Sequence, residues 1–598
     1  MRGQATASGG GHAGALPVWA SRSLRRTLFW AGLAVLVGVL YANTLNGPFV
    51  FDDVTNIQRN VHIRLTTLSV DGLFRAAFRS RQTNRPVANV SFALNYYVHQ
   101  YQVRGYHVVN ILIHFTTGLL LALFVYTTLT VPALRSSYAT PGWIAGGTAL
   151  LWLVHPLHTE SVAYITQRMN SMAAMFYMAS LVLYVRARLT APRRTQWVLG
   201  AGSVLTGLLA LSTKEIAATL PVVLGLYEWY FFQGLSLHWL KRRGCYIAGG
   251  LAVCGLVLAW VYQHGEPLAR LLAMYAARDF TLRERVLTEW RVVFLYLRLL
   301  LFPHPSQLTL EHDFVLSRSL LDPPTTLLAL VALVGLVGLA CYLASKDRVL
   351  SFCLVWFLLH LVIESSVIGL ELIFEYRTYL PSMLLSVLVV TLVSRHVPLA
   401  WLRVAMLGLV VLVFSVWTYD RNRVWASEET LWRDCVAKAP HKARPHNNLG
   451  VLLAQQGKLA EATAHLTTVL RLQPTFVTAH NNLGLLLAQQ GKLAEATAHY
   501  AEALRLRPDY EAAHNNLGNA LAQQGKLAEA ITHYAKALQI QPAYAEAHYN
   551  LGLLLAQQGQ RAEAIAALEA ALRYRPDWPQ AANILARLLA TQEPPIAP

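Results

Sequence analysis

Charged residues are scarce in this chain of 598 residues. Asp, Glu, Lys and Arg together make up 14% of it, whereas ordinary soluble domains carry about 25%, which argues against a single soluble enzyme. Five cysteines in 598 residues are too few for a disulfide scaffold. Four of them lie inside apolar runs without C-x-x-C spacing, which indicates core packing: Cys245, Cys254, Cys341 and Cys353. Hydrophobic residues, in contrast, reach 55% and aromatic residues 10%, which excludes disorder.

Acidic residues are fewer than basic ones. The 50 Lys and Arg residues exceed the 32 Asp and Glu residues by 18. Such an excess can indicate a nucleic-acid partner, but in a chain this apolar it is more typical of loops that flank membrane spans. We therefore predict a multi-pass membrane protein in contact with the lipid bilayer and without a nucleic-acid partner.

The chain begins with a Gly-, Ala- and Ser-rich tail, residues 1–23. After it, apolar stretches recur, each close to the length of about 20 residues that is needed to cross a bilayer. The first stretch lacks a small-residue cleavage site, so we predict an uncleaved span. Residues 24–420 then form a polytopic membrane domain with about eleven spans: 28–45, 108–130, 142–157, 169–186, 196–212, 216–233, 245–262, 325–344, 349–364, 379–394 and 399–418. The segment 286–302 is doubtful because charged residues interrupt it, and charges are expensive in hydrocarbon.

The basic residues predict an orientation. They cluster at Arg22–Arg26, Arg186–Arg194, Lys241–Arg243, Lys346–Arg348 and Arg395. If 286–302 lies at the interface, all five clusters fall on the cytoplasmic side, as the positive-inside rule requires. The C-terminal region then lies outside the cytoplasm. The Ala- and Leu-rich composition is typical of a bacterium and suggests a bacterial inner membrane.

A 34-residue period begins at residue 443, with Leu-Gly, Ala and Pro recurring in step. This is the tetratricopeptide pattern, in which small residues let two antiparallel helices pack closely and Pro ends the second. We predict four repeats over 443–578, a degenerate repeat or linker at 421–442, and a capping helix and tail at 579–598. The expected fold class is all-α, a helical membrane domain followed by an α-solenoid.

Two polar columns follow the same period. The histidines at 446, 480, 514 and 548 lie one repeat apart rather than converging on one point, so copying of the repeat explains them better than a metal site. The second column resembles the asparagine ladder of the tetratricopeptide-bearing O-GlcNAc transferase, in which amides hold a peptide backbone. It is a candidate peptide-binding groove, although helix capping or repeat inheritance explains it equally well: Asn448, Asn482, Asn516 and Asn550.

The membrane half carries polar groups between its apolar stretches. Asp52 and Asp53 could be a general base with its partner, metal ligands or a solvated turn. His155, His158 and Glu160 have a spacing that could bind zinc, but Pro156 disfavours a helical site and a hydrogen-bonded cluster is the simpler interpretation. Further charged groups are Lys214, Glu215, Glu364, Glu371, Glu375 and Arg377.

With eleven spans, all these groups face the extracytoplasmic side. Carboxylates and cations at the outer membrane face suit an anionic, amphipathic substrate that arrives from the lipid. A polyprenyl-phosphate sugar has these properties, because Arg or Lys can hold its phosphate while a carboxylate deprotonates an acceptor hydroxyl.

The order of the motifs identifies a family resemblance. F-D-D at 51–53 is followed by R-P at 85–86, L-N-Y at 94–96, Y-H-x-x-N at 106–110, H-P-x-H-x-E at 155–160, K-E at 214–215 and E-x-R-x-Y-L-P-S at 375–382. With the tetratricopeptide tail, this series resembles the transmembrane and tetratricopeptide repeat-containing proteins, which have the C-type glycosyltransferase fold. The resemblance implies transfer of a sugar, mannose in the animal members, from a lipid phosphate carrier to a hydroxyl of an extracytoplasmic protein.

The resemblance also implies roles for individual residues. Asp52 matches the general base and Asp53 its partner. Four cations are candidates for the carrier phosphate: Arg85, Arg168, Lys214 and Arg377. Six residues would shape the site: His155, His158, Glu160, Glu215, Glu364 and Glu375. The chain has Met169-Asn170 where animal members commonly place an acidic residue, so its sugar or acceptor could differ. A Mg²⁺ or Mn²⁺ ion is possible but not implied.

Two other functions compete with a glycosyltransferase. A membrane-anchored scaffold would explain the repeats, but one span would suffice to anchor them. A transporter would place charges near the middle of the membrane and show symmetry between its halves, and neither is evident.

Overall fold

The computed structural model describes residues 18–244, 249 and 273–590, with side chains from residue 24 onwards except at 276–277. Within these ranges the chain is helical and contains no strand. It divides into two compact units. We call Met1–Leu310 with Phe314–Thr430 the membrane unit, and Glu311–Asp313 with Leu431–Pro598 the solenoid unit. Residues 1–17 of the predicted tail 1–23, the predicted span 245–262 apart from residue 249, and the last eight residues lie outside the described part, and residues 18–23 belong to a helix.

The membrane unit has fourteen helices with bounds inside the described ranges. They are α1 Val18–Tyr41, α2 Val70–Arg79, α3 Pro86–His99, α4 Val103–Leu129, α5 Pro141–Leu153, α6 Thr159–Ala163, α7 Arg168–Leu189, α8 Arg193–Leu211, α9 Leu220–Tyr227, α10 Leu282–Leu301, α11 Thr325–Lys346, α12 Arg348–Leu361, α13 Ser382–His396 and α14 Ala400–Arg423. Helix α9 continues as a π-helical turn, Glu228–Phe232.

Five helical segments are long and apolar enough to cross a membrane: Leu24–Thr44, Val103–Leu129, Ile165–Leu189, Thr325–Lys346 and Ala400–Ala426. Two apolar helices, α12 and α13, are shorter. Multi-pass architecture therefore rests on observed helices, while the number of eleven spans stays a prediction. The main core of the unit is formed by apolar side chains from α1, α4, α5, α7 and α12 to α14.

Several predicted basic clusters lie at one end of this bundle. Arg395 forms an ion pair with Asp347, and the hydroxyl of Tyr138 donates to Asp347 over 2.9 Å. Tyr138 precedes the start of α5, where Arg25 and Arg26 line a crevice of about 710 Å³ together with Gly142. The predicted polar motifs lie in the segments that connect the opposite ends of the same helices.

Helix α10 covers the doubtful segment 286–302. It begins with a capping box in which Thr281 and Glu284 satisfy each other's backbone N–H groups. Near its start, Arg285 donates to backbone carbonyls of residues 364–371. Near its end, the carbonyl of Leu300 accepts a hydrogen bond from His155. Both partners belong to connecting segments at the polar end, so α10 lies along this end.

The solenoid unit stacks pairs of antiparallel helices. They are α15 Glu428–Lys438, α16 Ala443–Gln455, α17 Leu459–Leu472, α18 Val477–Gln489, α19 Leu493–Leu506, α20 Glu511–Gln523, α21 Leu527–Ile540, α22 Ala545–Gln557, α23 Arg561–Tyr574 and α24 Pro579–Ala590. Gly484 shows why the repeat needs a small residue. A Cβ there would lie 2.7 Å from the ring of Tyr500 on the second helix of the same repeat.

Candidate functional site

Asp52 and Asp53 lie side by side in the connection after α1 but have different surroundings. Asp53 is fully buried, whereas Asp52 is exposed. The carboxylate of Asp53 accepts hydrogen bonds from the backbone N–H of Val50 over 3.1 Å and of Thr166 over 2.7 Å. The Thr166 hydroxyl donates a further hydrogen bond to it. Asp53 thus joins this connection to the segment before α7.

The backbone ahead of the pair is strained. Phe51 has φ = 51°, in the left-handed region that is sterically costly for a residue with a bulky side chain. The hydroxyl of Tyr164 accepts a hydrogen bond from the backbone N–H of Asp52 over 2.9 Å. Tyr164 and Thr166 therefore hold the turn from one side and keep the two acids in place.

Burial raises the pKa of Asp53 to about 7, and the negative charge of Asp52 acts in the same direction. The three donated hydrogen bonds act against this shift because they stabilise the ionised form. The two neighbouring carboxyl groups therefore differ in access, and the buried one has a raised pKa.

Arg168 lies inside the protein. It is fully buried, and its guanidinium donates to Asn110 Oδ1 and Asn95 Oδ1 over 2.7 Å each and to the carbonyl of Tyr106 over 2.9 Å. It also lies over the ring of Phe92, 4.8 Å from its centroid. These contacts join α3, α4 and α7. Arg168 therefore organises the site from within.

Arg85 is the more accessible cation. Its side chain is 23% exposed and forms a bidentate pair with Glu215 at 3.0 and 3.1 Å. Asn84 donates to the same carboxylate over 2.7 Å. We call residues 51–53 the acidic turn. Gln82 bridges Arg85 to Asn56, just after this turn, because it accepts from Arg85 over 3.0 Å and donates to Asn56 over 3.1 Å.

Lys214 forms a second ion pair deeper in the same end. Its ammonium donates to Glu364 over 3.0 Å and to Asn170 Oδ1 over 3.1 Å, and it lies 4.5 Å from the ring centroid of Tyr376. Burial lowers the pKa of Lys214, while the neighbouring Glu364 raises it. The amide of Asn170 donates to the carbonyl of Tyr376 over 2.8 Å. Asn170 is thus a neutral bridge between Lys214 and the backbone of Tyr376.

Glu160 and Glu375 are both buried. Glu160 accepts from the backbone N–H of Tyr376 over 2.9 Å, and Glu375 accepts from that of Thr309 over 2.5 Å. Burial and the charge of Glu375 raise the pKa of Glu160 well above its usual value. Arg377, also buried, donates to the carbonyl of Leu372 over 2.9 Å. These groups fix the segment 372–377 against the neighbouring connections.

The two histidines of H-P-x-H-x-E are used in hydrogen bonds. His155 donates to the carbonyl of Leu300 over 3.0 Å and accepts from the N–H of Leu157. His158 contacts the carbonyl of Trp152 and the hydroxyl of Ser382, each over 2.9 Å. Within the described residues, no group of three or more His, Cys, Asp or Glu side chains could hold a metal ion. The geometry favours a hydrogen-bonded cluster over zinc.

Sequence reasoning missed the residues that hold the predicted ones. Tyr164 and Thr166 fix the acidic turn, and Arg285, with its partner Glu289 at 2.9 Å, binds the backbone of 364–371. Arg285 and Glu289 are four residues apart in α10. That spacing places them on one helix face and could have indicated a buried pair.

In the solenoid unit, the predicted asparagine column contacts a second one. The amides of Asn482, Asn516 and Asn550 each donate to the asparagine one position earlier in the preceding repeat, over 2.9–3.0 Å. The acceptors are Asn447, Asn481 and Asn515. The column therefore bridges neighbouring repeats, and its role as a peptide-binding groove stays a prediction.

Family models match the C-terminal part of the chain. The model described as TPR repeat matches residues 450–491, 485–525 and 518–559, and the model described as Tetratricopeptide repeat matches 545–578. Among solved structures, a thermophilic TPR protein of Thermus thermophilus is similar to 30% of this chain and 95% of that chain, with 21% identity and a TM-score of 0.25.

Curated relatives cover the membrane unit as well. Protein O-mannosyl-transferase Tmtc3 of Drosophila melanogaster is 27% identical over 523 residues, which is 75% of this chain and 55% of the relative. Protein O-mannosyl-transferase F38B6.6 of Caenorhabditis elegans is 27% identical over 478 residues, which is 76% of this chain and 64% of the relative. The chain spans less than two thirds of the length of either. It is a homologue of the transmembrane and tetratricopeptide repeat-containing proteins, with an all-helical membrane part and tetratricopeptide repeats at its C-terminal end.

Proposed function

We propose that this chain is a membrane glycosyltransferase. It moves a hexose, mannose by analogy with the names of its relatives, from a polyprenyl-phosphate carrier to a hydroxyl group of an extracytoplasmic protein. The observation that carries the proposal is the acidic turn, in which an exposed carboxylate, Asp52, is held beside a buried and hydrogen-bonded one, Asp53.

In this proposal Asp52 is the general base. The acceptor oxygen attacks the anomeric carbon of the sugar and forms the new C–O bond while the bond to the carrier phosphate breaks. The hydroxyl proton moves to the Asp52 carboxylate, and the carrier leaves as polyprenyl phosphate. Since the phosphate is already a good leaving group, the protein mainly has to orient the acceptor and accept one proton.

Asp53 is a positioning residue. Both of its carboxylate oxygens accept hydrogen bonds from backbone N–H groups of the protein. Its role is therefore to fix the conformation of the turn. An ion such as Mg²⁺ or Mn²⁺ would take oxygen ligands from the pair. The transfer proposed here has no step that depends on such an ion.

Arg85 is the cation we assign to the carrier phosphate. It is the most accessible of the four candidates, because the other three are nearly or fully buried. Glu215, whose carboxylate also accepts from Asn84, holds the guanidinium in one orientation, and Gln82 links it to Asn56, three residues after Asp53. A guanidinium can bind a phosphate through two parallel hydrogen bonds. Arg168, Lys214 and Arg377 then support the site from behind.

The orientation of the chain in the membrane follows from the different residues at the two ends of the helix bundle. The basic groups at one end favour the cytoplasmic side, so the site lies on the extracytoplasmic side, in a bacterial inner membrane on the evidence of composition. The chain leaves the membrane unit beside the site, where Trp425 stacks on Tyr164 at 5.5 Å. The repeats are then extracytoplasmic and bind the acceptor polypeptide or a partner protein.

A transfer assay tests the proposal. Membranes containing the chain would be incubated with radiolabelled polyprenyl-phosphate mannose, and label in the protein fraction would be counted. We expect Asp52→Asn to reduce transfer by about 10²–10⁴-fold, the usual contribution of a general base. Asp71→Asn is the matched control, since Asp71 is a 74% exposed acid on α2 and should leave transfer unchanged.

The alternative function, a membrane-anchored scaffold, predicts a different result. A scaffold would transfer no label with any variant, and its repeats would still bind partner proteins. Equal transfer by the wild-type protein and Asp52→Asn, at equal abundance in the membrane, would overturn the assigned role of Asp52.

A further inference from the structure

Three of the four repeats contain a second histidine that faces the first. His446, His480 and His514 lie on the first helix of their repeats, and the second histidine follows 19 residues later on the second helix. The facing pairs are His446–His465, His480–His499 and His514–His533, with Nδ1 atoms 2.9, 3.1 and 2.9 Å apart. The period of the first column alone did not reveal these pairs.

The first histidine of each pair is oriented by the backbone. Its Nε2 lies 3.0–3.1 Å from the carbonyl of the proline that ends the preceding helix, Pro440, Pro474 or Pro508. Since a carbonyl only accepts hydrogen bonds, Nε2 carries the proton and Nδ1 presents its lone pair to the second histidine. Histidines that bind metals usually have their other ring N–H held in this way.

We propose that each facing pair binds one divalent late transition-metal ion, of the class of Zn²⁺, Ni²⁺ or Cu²⁺, between its two Nδ1 atoms. Imidazole nitrogen is a suitable ligand for all three ions. With metal–nitrogen bonds of about 2.0–2.1 Å, two nitrogens lie about 2.9 Å apart in cis positions of a square-planar ion and about 3.4 Å apart in a tetrahedral one. The observed separations of 2.9–3.1 Å are close to the cis value, whereas a tetrahedral ion requires the two rings to move apart.

The surroundings of the pairs allow such binding. The second histidine of each pair and His480 are partly exposed, whereas His446 and His514 are only 7% and 8% exposed, so an ion reaches each pair from the side of the second histidine. Since the described residues contain no group of three such side chains, each ion has two protein ligands and water at its other positions.

The fourth repeat provides an internal control. Its first histidine, His548, stacks on Tyr574 with ring centroids 5.8 Å apart. The position that corresponds to the second histidine is Ala567, which is buried. This repeat therefore lacks the pair, and it also shows that alanine is compatible with the fold at that position.

Metal binding by the full-length chain tests the proposal. The protein would be purified in detergent without a polyhistidine tag, dialysed against Zn²⁺, Ni²⁺ or Cu²⁺, and analysed by inductively coupled plasma mass spectrometry. We expect three ions per chain for the wild-type protein and for His548→Ala. His465→Ala should bind two ions, and the triple variant His465→Ala/His499→Ala/His533→Ala should bind none.

A second measurement separates site loss from unfolding. Added metal should raise the thermal midpoint of the wild-type repeats, because an ion that binds only the folded state stabilises it. The triple variant should keep its helical circular dichroism and show no such shift. If the triple variant retained the wild-type number of ions, or if the wild-type protein bound none, the pairs would be hydrogen-bonded histidines only and the proposal would be wrong.

Discussion

Two adjacent aspartates illustrate how position decides the chemistry of a residue. Asp52 and Asp53 are the same residue type at adjacent positions. The sequence motif therefore gives no physical reason to choose Asp52 rather than Asp53 as the general base. In the structure, Asp53 is enclosed by donors from residues 50 and 166, whereas Asp52 is exposed. The partner more than 100 residues away could not be deduced from the local motif, because only the fold brings Thr166 to Asp53.

The buried carboxyl makes a pH-dependent contribution to stability. The pKa of Asp53 is raised to about 7 in the folded chain, against about 3.9 in an unfolded one. A raised carboxyl pKa favours folding below the unfolded value, and this contribution is lost as the pH rises through the folded value. The wild-type protein should therefore lose up to about 4 kcal/mol relative to Asp53→Asn between pH 4 and pH 7, at about 1.4 kcal/mol per pKa unit.

Thermal unfolding of both proteins in detergent, measured across that pH range, checks this prediction. The stability of the wild-type protein relative to Asp53→Asn should fall as the pH rises. A difference independent of pH would show that the folded-state pKa of Asp53 is not raised.

At the scale of helices and their connections, the sequence predicts much of the membrane unit. Apolar runs predicted the helices α1, α4, α7, α8, α11 and α14, because long apolar helices are the strongest signal in a sequence. At the majority of their ends, the predicted and observed bounds differ by only a few residues. The structure of the segments between these helices is harder to predict from the sequence. The predicted span 216–233 contains only the short helix α9 between 3₁₀ and π turns, since such turns leave no periodic pattern.

A buried ion pair joins two of the polar connections, beside the apolar clusters that also pack there. Lys214 follows α8 and Glu364 follows α12, and their side chains are only 7% and 8% exposed. Removing one partner of a buried pair leaves an uncompensated charge, which costs about 3–5 kcal/mol. We expect Lys214→Met and Glu364→Leu each to lower stability by this amount, and the double variant to recover much of the loss.

A double-mutant cycle on thermal stability in detergent checks this pair. Lys241→Met, at the predicted cytoplasmic cluster, is a suitable control for the loss of a lysine. Additive losses in the double variant would mean that the two side chains do not stabilise each other.

At the scale of the whole molecule, charge and repetition were the most informative features. The distribution of basic residues predicted which ends of the helices belong together, and in the structure the polar motifs form several hydrogen-bonded groups in the connections at the opposite end. The 34-residue period predicted the solenoid because every repeat presents the same small and large residues at the same positions. The facing histidines escaped notice because their second members lie on another helix.

The solenoid should fold without the membrane unit. Residues 431–590 contain four repeats and a final helix, and at least three repeats are needed for a stable stack. We expect this segment, expressed alone, to show helical circular dichroism and one cooperative thermal transition. A two-repeat segment, 443–510, should remain largely unfolded. An unfolded four-repeat segment would contradict this expectation.

The most direct test of the central claim is mass spectrometry of extracytoplasmic proteins from cells that express the wild-type chain, Asp52→Asn or Asp71→Asn at equal abundance in the membrane. A glycosyltransferase with Asp52 as its base predicts a hexose-sized addition on Ser or Thr with the wild-type chain and Asp71→Asn, and its loss with Asp52→Asn. Identical glycan profiles for all three proteins would contradict the catalytic role and favour a membrane-anchored scaffold.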